Sequence, residues 1–326
     1  MYQLRPFRNS DPPHLAEIWR SQPPQRGVLQ QVSAPILEFG VFSKPHFDRQ
    51  GLIVATQDGR PRGFAHGAFG PNDAGSGLDT SLGTTHMLML HSAHQDDALA
   101  SDLLAASEAY LRGRGASVLY AGGIQPLNSF YLGLYGGSEL PGVLQSDALL
   151  QRTALARDYQ EASRVRILQC DLVRFRPPVG REVRAVKRTT ELLEVLDPRA
   201  QTWWEACVWG CLQRDRFQLI DRYQRTPIAT ATFWDVQPMS AGWGMCTAGL
   251  YELYVEPQHR RRGLATYLVG EALRLLRRRG VSVIEAQTMA TNEAALAFYE
   301  KLGFTTVDEG VVFRKNGGGA GASQTV

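Results

Sequence analysis

The sequence predicts an α+β protein made of two related domains in tandem, each a mixed, mostly antiparallel sheet with helices on both faces. Three observations lead there. The chain matches itself without a gap when it is shifted by 165 positions. Each matching segment carries the same order of strand and helix signals. Between the segments lies "RFRPPVGR", where Pro177–Pro178 stops any helix from running through.

At the 165-residue shift, Leu90–Tyr120 falls on Val255–Glu285, and Leu99/Leu264, Ala100/Ala265, Leu103/Leu268, Leu111/Leu276 and Gly115/Gly280 coincide. Further on the shift becomes 145, which sets Ala154 against Tyr299. The first copy therefore holds about twenty extra residues, around the Gly-rich "FYLGLYGGSELPG". Two long copies form tandem domains rather than a solenoid. The boundaries read as 1–175 for the first domain and 181–316 for the second. Residues 317–326 are a tail too poor in apolar groups to order itself.

In the first copy "YQLRPF" is a strand, and Asn9–Ser10–Asp11–Pro12 starts a helix. "LIVATQDGRPRGFAHGAF" is a hairpin turning at Asp58–Gly59. The strand "THMLMLH", a helix over Leu99–Arg112 and the strand "SVLYAG" follow. The second copy opens with "VRAVKR" as a strand, then the hairpin "FQLIDRYQRTPIATATFWDV" and the central strand "AGLYELYV". A helix over Arg262–Arg278, the strand "VSVIEAQTM", the helix "NEAALAFYEKLG" and the strand "VVFRK" complete it.

Composition narrows the function classes. A net charge of +3 gives no general affinity for nucleic acid, and "LRLLRRRG" lacks interleaved aromatics. No apolar run reaches membrane-spanning length, and the N-terminus has no apolar signal core. A cytoplasmic protein, monomeric or homodimeric, is expected. Cys207 and Cys211 could share a helix face, but no histidine pair completes a zinc set, so the four cysteines are expected to be buried and no metal site is expected. Trp203, Trp204 and Trp209 read as core or pocket wall, and Arg274 with Arg277–Arg279 as a solvated face.

The chemistry concentrates in "VEPQHRRRGLA", Val255–Ala265. A strand ends at Pro257 and a helix begins near Gly263. The first amides of a helix lack internal partners, and its dipole adds positive charge there. A glycine that lets a ligand approach the backbone, among Arg260, Arg261 and Arg262, makes an anion site suited to a diphosphate. The lysine and hydroxyl that a nucleotide-hydrolysing loop needs after its last glycine are missing.

"ELYVEPQHRRRGLA" with "ATNEAALAFYEKLGF" resembles the GNAT (GCN-related N-acetyltransferase) superfamily over about Gly180–Lys315. That family's phosphate loop, Gln/Arg-x-x-Gly-x-Gly/Ala, is matched by Arg260, Gly263 and Ala265, and the resemblance extends cofactor contact to Arg261, Arg262, Leu264 and Thr266. It implies acetyl-CoA as cosubstrate, with the pantetheine arm in a gap beside Leu253, Tyr254 and Val255 and with Asn292 touching it. It implies Tyr299 as the acid for the departing thiolate, and strand alternation, which puts Glu252 on the face opposite the partners of Leu253 and Val255, makes Glu252 the candidate base or amine anchor. The acceptor would be a primary amine of a small molecule or peptide; the competing reading is a nonenzymatic acyl-CoA-binding or sensing module. The first copy departs from the pattern: Gln95–Asp96–Asp97–Ala98 replaces Arg260–Gly263, Ala154 replaces Tyr299, and Tyr131 after Asn128 is a displaced substitute at the wrong spacing. It reads as a degenerate domain that shapes the cleft or supports its partner.

Overall fold

The computed structural model describes residues 2–316, so the tail expected to be disordered lies outside the described residues. In the first half, β1 (Gln3–Pro6) leads to α1 (Pro12–Arg20), which begins on the Pro12–Pro13 pair where no intrahelical N–H is required. A short α2 (Ala34–Leu37) precedes the hairpin of β2 (Leu52–Gln57) and β3 (Arg60–Pro71). Its turn residues Asp58 and Gly59 have φ of 52° and 78°, the left-handed pair that such a turn demands. Then come β4 (Leu78–Leu90), α3 (Asp97–Gly113), β5 (Val118–Ala121), β6 (Val143–Leu144), α4 (Ala148–Ala156) and β7 (Gln160–Asp171).

The second half opens differently from the sequence reading. "VRAVKR" lies in a helix, α5 (Arg181–Thr189), and the first strand, β8 (Thr190–Leu196), starts just after it. Val183 and Val186 are three residues apart and both pack on the core of this half, a spacing that shares a helix face and would split across a strand. There follow α6 (Trp203–Trp209), β9 (Arg214–Asp221), β10 (Pro227–Asp235), α7 (Gln237–Trp243), β11 (Thr247–Val255), α8 (Leu264–Arg278), β12 (Val283–Met289), α9 (Glu293–Lys301) and β13 (Thr305–Asn316).

The two sheets foreseen from the repeat are fused into one of 13 strands, in the order β1-β2-β3-β4-β5-β13-β7-β12-β11-β10-β9-β8, with β6 also on β13. The pairs β4–β5 and β11–β12 are parallel, and the other neighbours are antiparallel. The fusion works by exchange. Strand β13, from the second half, pairs with β5 of the first through Phe313–Asn316. Strand β7, from the first half, pairs with β12 of the second along Val165–Asp171. The two exchanged strands pair with each other at the centre. They occupy equivalent places in the repeat, since α4 and α9, like β7 and β13, keep the 145-residue offset at both ends.

The cores follow the exchange. Beneath α3 and α4, Ile53, Leu88, Leu103 and Leu150 pack with Val311 and Phe313 of β13. Beneath α8, Phe217, Leu250, Leu268 and Ile284 pack with Leu168 and Cys170 of β7. A third cluster joins the halves on the other face, with Trp19, Phe130, Tyr131 and Tyr135 from the first and Trp234 and Met239 from the second. The tryptophans of α6 border it: Trp204 packs beside His46 and Trp209 on Tyr251, while Trp203 is partly exposed.

Two smaller expectations change. Cys170 is buried and Cys207 half-buried, but Cys211 and Cys246 are exposed, because the short α6 and the loop before β11 lie at the surface. Arg277 and Arg279 are not merely solvated: Arg277 donates to the Phe175 carbonyl at 3.0 Å, and Arg279 bridges Glu194 and Asp215.

Neither half owns a complete core. Residues 1–175 and 176–326, expressed separately, are therefore expected to aggregate or stay unfolded. Val311 and Phe313 alone would each forgo about 1.5–3 kcal/mol of burial. Co-expression should restore a cooperative circular-dichroism melt and a single one-to-one species in size-exclusion chromatography; autonomous folding of either fragment would show that the exchange is dispensable.

Candidate active site

Strands β11 and β12 run together from Thr247 opposite Val283 to Leu250 opposite Ala286, and then part. The parting coincides with a β-bulge. Phe233 faces Leu250 and Thr232 faces Glu252, so Tyr251 has no partner on β10. Its ring instead stacks on Trp209 with centroids 4.1 Å apart. Beyond the bulge, β11 remains paired to β10 and β12 to β7, which leaves one free edge of each facing the gap. Those edges offer backbone N–H and C=O groups to an extended ligand, as an added strand would use them.

Alternation past the bulge sends Leu253 and Val255 into the core under α8 and Glu252 to the opposite face. There Glu252 accepts from Thr232 Oγ1 at 2.6 Å and lies 3.7 Å from Arg216, with its side chain nearly half exposed. Tyr254 is exposed on the same strand.

After β11 one turn of 3₁₀ helix, Pro257–His259, leads into the arginine loop. Arg260 turns back, its Nε donating to the Val255 carbonyl at 3.0 Å. Arg261 and Gly263 both adopt positive φ, 59° and 79°, and Gly263 is the N-cap of α8 with no side chain to accept from the helix amides. The N–H groups of Leu264, Ala265 and Thr266 thus open on the cavity with the positive end of the helix dipole behind them. A Cβ at Gly263 would lie 3.2 Å from Cβ of Glu182 in α5. The glycine is required by its positive φ. Helix α5 was read as a strand and so passed over as a source of charge. With Arg222, its residues Arg181, Arg184, Lys187 and Arg188 line a basic hollow of about 870 Å³.

The corresponding start of α3 is closed. Asp96 caps it, Oδ1 accepting from the amides of Ala98 and Leu99 at 2.9 and 3.1 Å, and Asp97 pairs with Arg152 at 2.8 Å. A carboxylate already occupies the place an anion would take. Tyr131 is also accounted for: it is fully buried, hydrogen-bonded to His66 Nδ1 at 2.9 Å and packed on Trp19.

A cavity of about 780 Å³ joins the gap between the strands to the loop, a volume suited to a small-molecule ligand. Of the residues singled out from the sequence, Glu252, Leu253, Tyr254, Val255, Arg260, Arg261, Gly263, Leu264, Ala265, Thr266, Asn292 and Tyr299 line it, and Arg262 does not. Asn292 caps α9, its Oδ1 accepting from the Ala295 amide at 3.1 Å, which leaves its N–H₂ group to face a ligand. Tyr299, a turn and a half into α9, is buried among Phe298 and Phe304. Burial, and after it the charge of nearby Glu139, raises the phenol well above its usual pKa and keeps it protonated.

Sequence reasoning missed the wall from the first half. Gln125, Glu139, Leu140 and Val165 line the same cavity, facing Gln287 of β12. The signal that could have found them was the block of about twenty residues unique to the first copy, which holds Gln125, Glu139 and Leu140. Among the described residues no group of three or more His, Cys, Asp or Glu is placed to hold a metal ion.

Comparison with known proteins decides the family of this region: residues 184–304 match the Acetyltransferase (GNAT) family. They form a GNAT domain. Within the GNAT proteins, the [ribosomal protein bS18]-alanine N-acetyltransferase of Escherichia coli is 39% identical over 57 residues, 18% of this chain and 38% of that one. An uncharacterized N-acetyltransferase of Methanocaldococcus jannaschii is 35% identical over 57 residues, 18% of this chain and 25% of the other. The chain thus spans well under half the length of these relatives. The fold of the whole chain is that of tandem GNAT proteins. One from the clavulanic acid biosynthesis pathway aligns over 98% of this chain and 100% of its own with a TM-score of 0.67 at 13% identity. A GCN5-related N-acetyltransferase from Sphaerobacter thermophilus aligns over 97% and 95% with a TM-score of 0.64 at 14% identity.

The GNAT loop geometry is open to a direct test. Gly263→Val forces a β-branched residue to a φ of 79° and into Glu182, so affinity for a diphosphate ligand, probed with acetyl-CoA, should fall by about tenfold or more. Arg278→Ala, at the far end of α8, should leave affinity within about twofold. Isothermal titration of the two variants checks this, and equal losses would mean that general basicity rather than the loop holds the ligand.

Proposed function

We propose that the protein is an acetyl-CoA-dependent N-acetyltransferase that moves an acetyl group to a primary amine of a small molecule or peptide by direct attack on the thioester. One observation carries the reading. The gap between β11 and β12 leads from the uncapped, arginine-flanked start of α8 to the buried, protonated Tyr299 within one cavity. That is the shape of a ligand with a diphosphate at one end and a reactive thioester at the other.

Each group then has a task. The amides of Leu264–Thr266, with Arg260 and Arg261, hold the diphosphate. The free edge of Leu253–Val255 aligns the arm and polarises the thioester carbonyl. Acetyl-CoA supplies the activated acyl group. The amine nitrogen forms the C–N bond, the C–S bond breaks, and Tyr299 gives its proton to the departing thiolate. Glu252, exposed and held by Thr232 and Arg216, is suited to anchoring a cationic acceptor.

Only one of the two helix starts is open, so calorimetry should find one acetyl-CoA per chain; two equivalent sites would mean that the Asp96 cap gives way to the diphosphate.

The Tyr299→Phe variant removes only a hydroxyl from a buried ring. It should keep its fold and its acetyl-CoA affinity and lose roughly 10²–10⁴-fold in turnover, the usual worth of a general acid. A screen of primary amines for thiol release supplies the assay. Unchanged turnover would leave solvent as the proton donor; no release by the parent with any amine, despite tight binding, would make the protein an acyl-CoA-binding module.

A further inference from the structure

The residues of the first half that reach the cavity are held there by an unusual amount of buried polar structure. Glu285 of β12 is fully buried. Its carboxylate accepts from the Ser138 amide at 2.6 Å, from Arg26 Nη2 at 2.7 Å and from Gln169 Nε2 at 2.9 Å, three groups of the first half. Gln287, two residues on and on the same face of β12, donates to the carbonyl of Glu139 at 2.8 Å and of Gly136 at 3.3 Å. Trp234 Nε1 donates to the carbonyl of Ser138 at 3.1 Å. Gly137, at a φ of 107°, gives the Glu285 carboxylate room: a Cβ there would overlap it. A backbone pinned at Gly136, Ser138 and Glu139 does not drift. Its one side chain in the cavity with acid–base chemistry is Glu139.

We propose that Glu139, delivered by the first half of the chain, is the catalytic base that takes the proton of the acceptor amine in the cavity of the second half. The role rests on the N-acetyltransferase reading. Glu139 is buried and lines the cavity together with Tyr299, and among the described residues its carboxylate has only a long hydrogen bond, from Asn128 Nδ2 at 3.5 Å. The charged groups around it are few. Glu285 lies behind it with Arg26, which also approaches Asp308 at 3.9 Å, and Tyr299 faces it from α9. Burial, and secondly the Glu285 carboxylate, pushes the Glu139 carboxyl up to about 8. That brings it closer to the pKa of an alkylammonium, about 10.4 for lysine, and makes it a far better base than an ordinary carboxylate. Glu252 differs in its surroundings, being exposed and lying 3.7 Å from Arg216.

The protons balance. The bound ammonium gives one proton to the Glu139 carboxylate, which later returns it to solvent. The freed lone pair forms the C–N bond, the C–S electrons leave on sulfur, and Tyr299 protonates the thiolate while taking the second proton from the new amide nitrogen. Below pH 8 Glu139 already holds a proton and cannot accept the ammonium's, so kcat/KM rises with pH up to an inflection near 8.

The test compares the parent, Glu139→Gln and Glu139→Asp over pH 6–10 on two amines of different basicity, with acetyl-CoA affinity measured in parallel. The parent's inflection should stay near 8 for both amines. Glu139→Gln should bind acetyl-CoA normally, lose roughly 10²–10³-fold in kcat and show only the inflection of the amine itself. Glu139→Asp should keep an enzyme inflection at an intermediate rate. An active parent whose inflection follows the amine, or a Gln variant that keeps rate and profile, overturns the role of Glu139 alone. A loss confined to KM overturns it in favour of an ammonium anchor. A parent inactive on all primary amines overturns the function itself and the role with it. If the Gln variant does not fold, the parent's profile on the two amines decides.

Discussion

The exchange of β7 and β13 at the centre of the sheet is the constraint on which the rest of the molecule depends. Each parallel pair, β4–β5 and β11–β12, needs an antiparallel neighbour on its outer side, and each receives it from the other half. A strand edge inside a protein cannot be left unpaired without losing its hydrogen bonds. Covering both edges by exchange makes two repeats into one folding unit. It also brings the first half against the mouth of the gap between β11 and β12, where its loop can wall the cavity.

The halves share a fold and differ at the start of the helix after the central strand. In α8 a glycine with positive φ and no capping side chain leaves the first amides to a ligand. In α3 the carboxylate of Asp96 takes the same amides. In the first half the helix start is closed by an internal cap that satisfies the donors outright. Such a cap is worth about 1 kcal/mol to the helix it ends. One half stabilises its helix, and the other leaves those donors free for binding.

Glu285 shows how the two halves are held in register at the site. A fully buried carboxylate is tolerated only when its charge and lone pairs are satisfied, and Arg26, Ser138 and Gln169 do so together. All three come from the first half. The pairing fixes the loop that carries Glu139 while leaving Glu139 itself without a cation. One buried carboxylate is thereby anchored by three hydrogen bonds, and burial raises the pKa of its neighbour.

Much of this was legible in one dimension. The repeat, the tandem fold, the arginine loop and the helix of Asn292 and Tyr299 depend on local spacing: a shift of 165, a strand-to-helix turn, seven residues between two side chains on one face. Local spacing failed at "VRAVKR", where valines three apart suit a helix and the expectation of a strand came from position in the repeat alone. It also gave no sign that the sheets fuse, because an exchanged strand has the same alternation as an unexchanged one. The sequence by itself determined the repeat, most of the elements and the uncapped glycine loop before α8. The tertiary structure alone decided which strand sits beside which, and so that Glu139, 160 positions before Tyr299, shares its cavity. The reason is physical: backbone pairing and burial join residues by distance in space, and nothing in the identity of a buried glutamate says which half of the chain it will face.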